Sequence, residues 1–169
     1  MTFKLAITGK SGSGKTTITK AFLRIFQEYF PEKSILLFDN DLTSELGHSF
    51  GLDIRNTIYG IRSGKHEYRT GIPEGMSKQE FVEWAMEDIV VSLYENVDII
   101  VSWFVGSKDC RCPITSQIND AVLKLIDRYD IVIFDCEFDL KYLNQLVDTD
   151  IDTTLIAVSY THLRAHETR

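Results

Sequence analysis

The sequence predicts an α/β domain, a mostly parallel sheet sandwiched by helices, and three observations predict it. Short runs of nearly continuous apolar residues, such as those around Leu36 and Val132, have the length and composition of strands buried on both faces. Between them lie longer stretches in which apolar residues recur at helical spacing. A glycine-rich turn, Gly9 to Gly14, joins the first strand to the first helix.

Phe3 to Thr8 is the first strand, and from Lys15 the residues Ile18, Phe22, Ile25, Phe26 and Tyr29 mark one helical face until Pro31 interrupts it. Ser34 to Phe38 reads as a second strand, ending in the acidic group Asp39, Asn40, Asp41. Leu42 to Gly75 is glycine-punctuated and reads as a functional excursion with a short helix at Ile54 to Arg62. Ser77 with Glu80 forms a capping box, which opens a helix expected to run to Tyr94 with Phe81, Val82, Ala85, Met86, Ile89 and Leu93 inward. Val97 to Phe104 is a third strand, Ile114 to Arg128 a further amphipathic helix, and Asp130 to Phe134 a fourth strand ending at Asp135. Leu155 to Val158 starts a fifth.

At 169 residues the chain suits one domain. No apolar run approaches the roughly 18 residues of a membrane span, and the N-terminus enters a strand directly, so a cytoplasmic protein without membrane contact is expected. A net charge of −7 argues against a broad nucleic-acid face, which is normally basic. Three cysteines without an export signal suggest reduced thiols or metal ligands rather than a disulfide framework. The last eleven residues, SYTHLRAHETR, are polar and aperiodic and look like a translated sequencing adapter. The expected division is a nucleotide-binding domain over 1–158, incomplete at its C-terminus, and a non-native tail over 159–169.

Gly9, Lys10, Ser11, Gly12, Ser13, Gly14, Lys15 and Thr16 satisfy the phosphate-loop pattern G-x-x-x-x-G-K-[ST], between the strand and helix that it requires. The domain is therefore expected to be a P-loop NTPase. The glycines allow backbone N–H groups to turn toward phosphate oxygens, and the helix N-terminus adds its dipole. Lys15 is placed for the β- and γ-phosphates, the Thr16 hydroxyl for Mg²⁺, and Thr17 for the α-phosphate. Asp135, after four apolar residues, is positioned to hold the Mg²⁺ water shell, and Asp39 or Asp41 to orient an attacking water. The loop accepts ATP or GTP.

With Lys10 directly after Gly9, the segment GKSGSGKTT resembles the deviant Walker A loop of the MinD, ParA and nitrogenase iron-protein group. The resemblance implies ATP as the nucleotide, and a homodimer in which Lys10 reaches the partner's phosphates. FDNDLTSELGHSFGL, GIPEGMSKQEFVEWAMEDIV and the pair Cys110 and Cys112 resemble the CooC-type ATPases that mature nickel carbon monoxide dehydrogenase. That resemblance implies a Zn²⁺ or Ni²⁺ site of four thiolates, two per chain, at the dimer interface, with an apo carbon monoxide dehydrogenase as client. Two thiolates one residue apart leave a tetrahedral ion two open positions, which a two-fold partner would fill. Two idle thiols in a loop are the alternative. Cys136 reads as a small core residue.

Two departures are visible. Ser11 stands where the group has glycine, tolerable if its φ is negative. After Asp135 the group's acidic-Ala-Gly turn is replaced by Glu137, Phe138 and Asp139, and the base-binding region is replaced by the tail. The resemblance therefore carries phosphate and Mg²⁺ binding further than it carries a hydrolysis-driven switch. The expected function is a dimeric ATPase of nickel-insertion type; the alternatives are a ParA/MinD-type partition or positioning ATPase and a small P-loop kinase.

Overall fold

The computed structural model describes residues 1–41, 43–54, 56–63, 72–102, 113–137 and 150–159. Cys110, Cys112, residues 138–149 and the tail from 160 onward lie outside them. The described elements are β1 (Phe3–Gly9), α1 (Lys15–Tyr29), β2 (Ile35–Asn40), α2 (Glu45–Ser49), α3 (Ile58–Ser63), α4 (Lys78–Asp88), β3 (Val91–Tyr94), β4 (Val97–Val101), α5 (Pro113–Ile126), β5 (Ile131–Cys136) and β6 (Thr153–Ala157).

The strands form one sheet in the order β3-β4-β2-β5-β1-β6. Every pairing is parallel except β3 with β4. Because side chains alternate across a strand, each central strand feeds two cores. Leu5, Ile7, Leu37 and Ile133 face the side carrying α1, where Leu23 and, from α2, Leu46 join them. Ala6, Phe38, Val132 and Phe134 face the opposite side, packed against α3, α4 and α5. Burying one such Leu, Ile or Phe side chain contributes about 1.5–3 kcal/mol, so β2 and β5, buried along their whole lengths, anchor the domain. Phe38 and Phe134 meet with ring centroids 5.2 Å apart.

The capping box forms as expected: Ser77 Oγ accepts from the Glu80 amide, and the Glu80 carboxylate accepts from the Ser77 amide. The expected helix to Tyr94 does not. α4 stops at Asp88, and the β-branched and aromatic residues after it pair antiparallel with β4 through a two-residue turn, with Asn96 at φ 63°. Leu93 matched the helical period by coincidence and packs on the other face of the sheet.

Other corrections are smaller. The second and fourth strands run on through Asp39 and Asp135, placing these acids inside strands rather than after them. Among its described residues, the excursion after β2 holds the short helices α2 and α3, of which α3 falls where a helix is expected. On α1, Ile18, Phe22 and Phe26 pack against the core as expected, but Ile25 and Tyr29 are exposed, because the buried stripe is centred on Lys15, Thr19 and Leu23, turned partly away from the expected face. Among the described residues, no helix is long and apolar enough to cross a membrane.

Candidate functional site

The chain leaves β1 at position five of the sheet, enters β2 at position three, and returns later to place β5 between them. The carboxyl ends of β1, β5 and β2 are therefore adjacent. Ile7 pairs with Asp135, and Asp135 with Asp39. One crevice at this edge of the sheet receives the glycine loop from β1, Asp135 from β5, and Asp39 and Asp41 from β2 and the turn after it, as expected where strand order reverses in an open α/β sheet.

The loop has the backbone that its glycines permit. Gly12 and Gly14 have φ of 78° and 87°, and a Cβ at either would point into open space. At Gly9, φ is 149° and a Cβ would collide with the Ala157 carbonyl oxygen and the Ser13 hydroxyl, so β6 closes on the loop only because this residue is glycine. Ser11 is not among the described non-glycine residues with positive φ, which are Ser44 and Asn96, so its side chain adds no strain. Gly14 is the N-cap of α1 and provides no side-chain cap. The first amides of α1 thus retain the unmet donors that make a helix N-terminus an anion site.

Lys15, the first residue of α1, is almost fully buried, while Lys10 is exposed on the loop. The Thr16 hydroxyl donates to Asp135 Oδ2 at 3.0 Å. Asp135 Oδ1 is buried with no hydrogen-bond partner, as is Ser13 Oγ. Burial raises the Asp135 carboxyl to about pH 6, against the lowering effects of the Thr16 hydroxyl and the Lys15 ammonium; Asp41 and Glu45 add to the rise. An orphaned carboxylate oxygen beside a threonine hydroxyl is a hard oxygen donor set, and it fits Mg²⁺. Among the described residues, no three His, Cys, Asp or Glu side chains cage an ion by themselves.

The two acids of β2 differ sharply. Asp39 is completely buried, and both its oxygens are engaged: Oδ1 accepts from the Asp41 amide at 3.1 Å and Oδ2 from the Gly47 amide at 2.9 Å. Burial lifts its carboxyl to about 7, opposed by those two amides and reinforced by the charges of Asp135 and Asp41. Asp41 accepts from the Thr43 amide and hydroxyl through Oδ1 alone, both at 2.8 Å.

Glu45, the first residue of α2, was missed by the sequence reading, yet its charge reaches Asp135. The signal was its place one turn after Asp41, but only the buried left-handed turn at Ser44, φ 49°, brings α2 over the crevice. Cys136 sits on the opposite side of the sheet from Asp135, in the core with Phe38 and Phe134, and burial holds its thiol protonated. The cysteine pair at 110 and 112 lies outside the described residues, as does the switch segment after Glu137.

The fold has counterparts among known proteins. An uncharacterized ATP-binding protein of Methanocaldococcus jannaschii is 27% identical over 165 residues, covering 94% of this chain and 63% of the relative. Among solved structures, cobyrinic acid a,c-diamide synthase from Mycobacterium smegmatis, with bound ATP analog and magnesium, has a TM-score of 0.63 at 20% identity, over 94% of this chain and 59% of that one. A plasmid partition protein from Borrelia burgdorferi has a TM-score of 0.63 at 15% identity, over 98% of this chain and 70% of that one. The chain thus spans about 63% of its curated relative's length. Residues 4–160 match the CobQ/CobB/MinD/ParA nucleotide binding domain, and with its loop, acids and strand order in the places described, the chain belongs to that family.

Proposed function

We propose that this domain binds ATP with Mg²⁺ and hydrolyses it, and that the Thr16 to Asp135 hydrogen bond, with the unpartnered Oδ1 beside it, is the observation that carries the reading. The relative named as ATP-binding and the synthase solved with an ATP analog and magnesium support it. The uncapped amides of α1 and the loop hold the phosphates, and Lys15 places its positive charge on the β- and γ-phosphoryl oxygens. Thr17 follows in the first turn, toward the α-phosphate. Thr16 and Asp135 hold Mg²⁺, which when bound neutralises charge on the phosphate oxygens. Of the two β2 acids, Asp41 orients the attacking water, since Asp39 has both oxygens committed to backbone amides and acts by positioning the turn. Lys10, exposed on the loop, is placed to meet a second subunit's nucleotide in a homodimer.

The test is calorimetric titration with ATP and GTP, with and without Mg²⁺, on the wild type and Lys15→Ala, together with product analysis. Mg²⁺-dependent ATP binding that Lys15→Ala abolishes, and release of inorganic phosphate, are the expected results. Absence of nucleotide binding in the wild type ends the reading. Transfer of the γ-phosphate to a small acceptor rather than water identifies a kinase instead.

For the use made of hydrolysis, likeness to the partition protein supports a nucleotide-gated positioning ATPase. The spacing of Cys110 and Cys112 favours a second reading, CooC-type nickel insertion with Zn²⁺ or Ni²⁺ held by four thiolates of a dimer and an apo carbon monoxide dehydrogenase as client. Metal stoichiometry of the protein and of Cys110→Ser, in each nucleotide state, decides between them. Nucleotide-dependent recruitment to DNA or vesicles without bound metal favours positioning.

A further inference from the structure

Beside the sheet edge formed by β3 and β4 lies a cavity of about 250 Å³ whose wall includes Leu52, Ile54, Ile89, Val91, Ile99 and Val101. Its polar lining is Asp53, Asn56 and Asp88, with no cation among the described residues. The last turn of α4 carries Glu87 and Asp88 and no basic residue, although the carbonyls at a helix C-terminus favour positive charge. Glu87 is paired with Arg128 at 2.7 Å. Asp88 has no such partner among the described residues. A carboxylate at the unfavourable end of a helix, on the rim of an apolar hollow, is the complement of a group with an oily body and one positive charge.

The cavity wall also meets the nucleotide crevice at Gly47 and at Val101, which pairs with Asp39 in register. The Gly47 amide donates to Asp39, and the Gly47 carbonyl accepts from the Leu52 amide at 3.3 Å. A Cβ on the Gly47 α-carbon would lie 2.6 Å from Ile54 Cδ1, the movable end of that side chain, and 3.5 Å from Val101 Cγ2, an ordinary contact. Leu52, Ile54 and Val101 all line the cavity. Displacement of the Leu52 backbone or of Val101 is thereby passed toward α2 and Asp39, because close-packed interiors transmit strain.

We propose that the cavity binds a small amphipathic amine, an apolar body bearing one ammonium or guanidinium group, and that its occupancy alters nucleotide affinity through Gly47. The second half rests on the ATP reading above; the first does not. The probe is phenethylamine, compared with its neutral counterpart 2-phenylethanol and followed by chemical-shift titration of the nucleotide-free protein. The amine is expected to bind about fivefold more tightly than the alcohol, the scale of one partly exposed charge pair. Asp88→Asn should remove that difference, and Val91→Trp, which fills the hollow from its exposed rim, should abolish binding of both.

Equal affinity for the two probes, or binding indifferent to Val91→Trp, overturns the site. With saturating phenethylamine, the Kd of Mg²⁺ and ATP should change at least about twofold in the wild type and stay constant in Val91→Trp, a small fraction of typical coupling. Amine binding with unchanged Kd overturns the transmission. If ATP does not bind at all, the nucleotide reading fails while the amine titration still decides the cavity.

Discussion

The Thr16 hydroxyl donates to Asp135 Oδ2 at 3.0 Å across 119 residues of sequence, tying the first turn of α1 to the end of β5. The pair joins the phosphate loop to the acid beneath it. Thr16→Ala and Asp135→Asn should each weaken Mg²⁺-dependent ATP binding by at least about tenfold, the scale on which supporting contacts at metal sites act. Binding without Mg²⁺ should change less. Because the two residues touch, the double variant should lose less than the sum of the single losses. Calorimetry with and without Mg²⁺ checks both statements, and additive losses would sever the link.

Gly9 and Gly14 both have positive φ but should respond differently to alanine. At Gly14 only the backbone is strained, at a cost of about 1–2 kcal/mol. At Gly9 the added methyl also meets the Ala157 carbonyl, so β6 must move, and the loss should exceed that of Gly14→Ala by about 1–3 kcal/mol. Urea unfolding of the two variants measures the difference.

Asp39 and Asp135 make the stability of the nucleotide-free chain depend on pH in a direction unusual for acids. Their carboxyls are raised from 3.8 to about 7 and about 6, chiefly by burial. Between roughly pH 4 and 7 the folded chain keeps protons that the unfolded chain has released, so unfolding free energy falls as pH rises. The contribution is fully present below pH 4 and is lost by about pH 7. Asp39→Asn, which keeps an oxygen acceptor without the charge, should flatten the profile by on the order of 4 kcal/mol over that window. Chemical denaturation at a series of pH values is the measurement, and a slope of opposite sign would refute the assignment.

Lys10 separates loop chemistry from assembly. Lys10→Ala should leave nucleotide affinity of the single chain within about threefold, while abolishing any dimer formed with a non-hydrolysable ATP analogue. Light scattering in its presence and absence reports the result. A dimer that persists in the variant removes Lys10 from the interface.

Much of this was legible in the residues themselves. The phosphate loop announces itself because close backbone approach to phosphate demands glycines at fixed offsets, and the buried strands because two covered faces demand unbroken apolar runs. The capping box at Ser77 is likewise a local contract between two side chains and two amides. The antiparallel β3 was not legible: Val91–Tyr94 fits a helical period as well as a strand, and pairing with β4 decided the matter. Nor were the separate roles of the acids. Asp39 and Asp41 are two residues apart and chemically alike, yet the carboxylate of one is sealed against Gly47 of α2 while that of the other accepts from Thr43. The sequence by itself determined that there is a phosphate loop with acids at strand ends. The tertiary structure alone decided that β5 enters between β1 and β2, because strand order depends on long-range packing that no local pattern encodes, and that order sets Asp135 against Thr16.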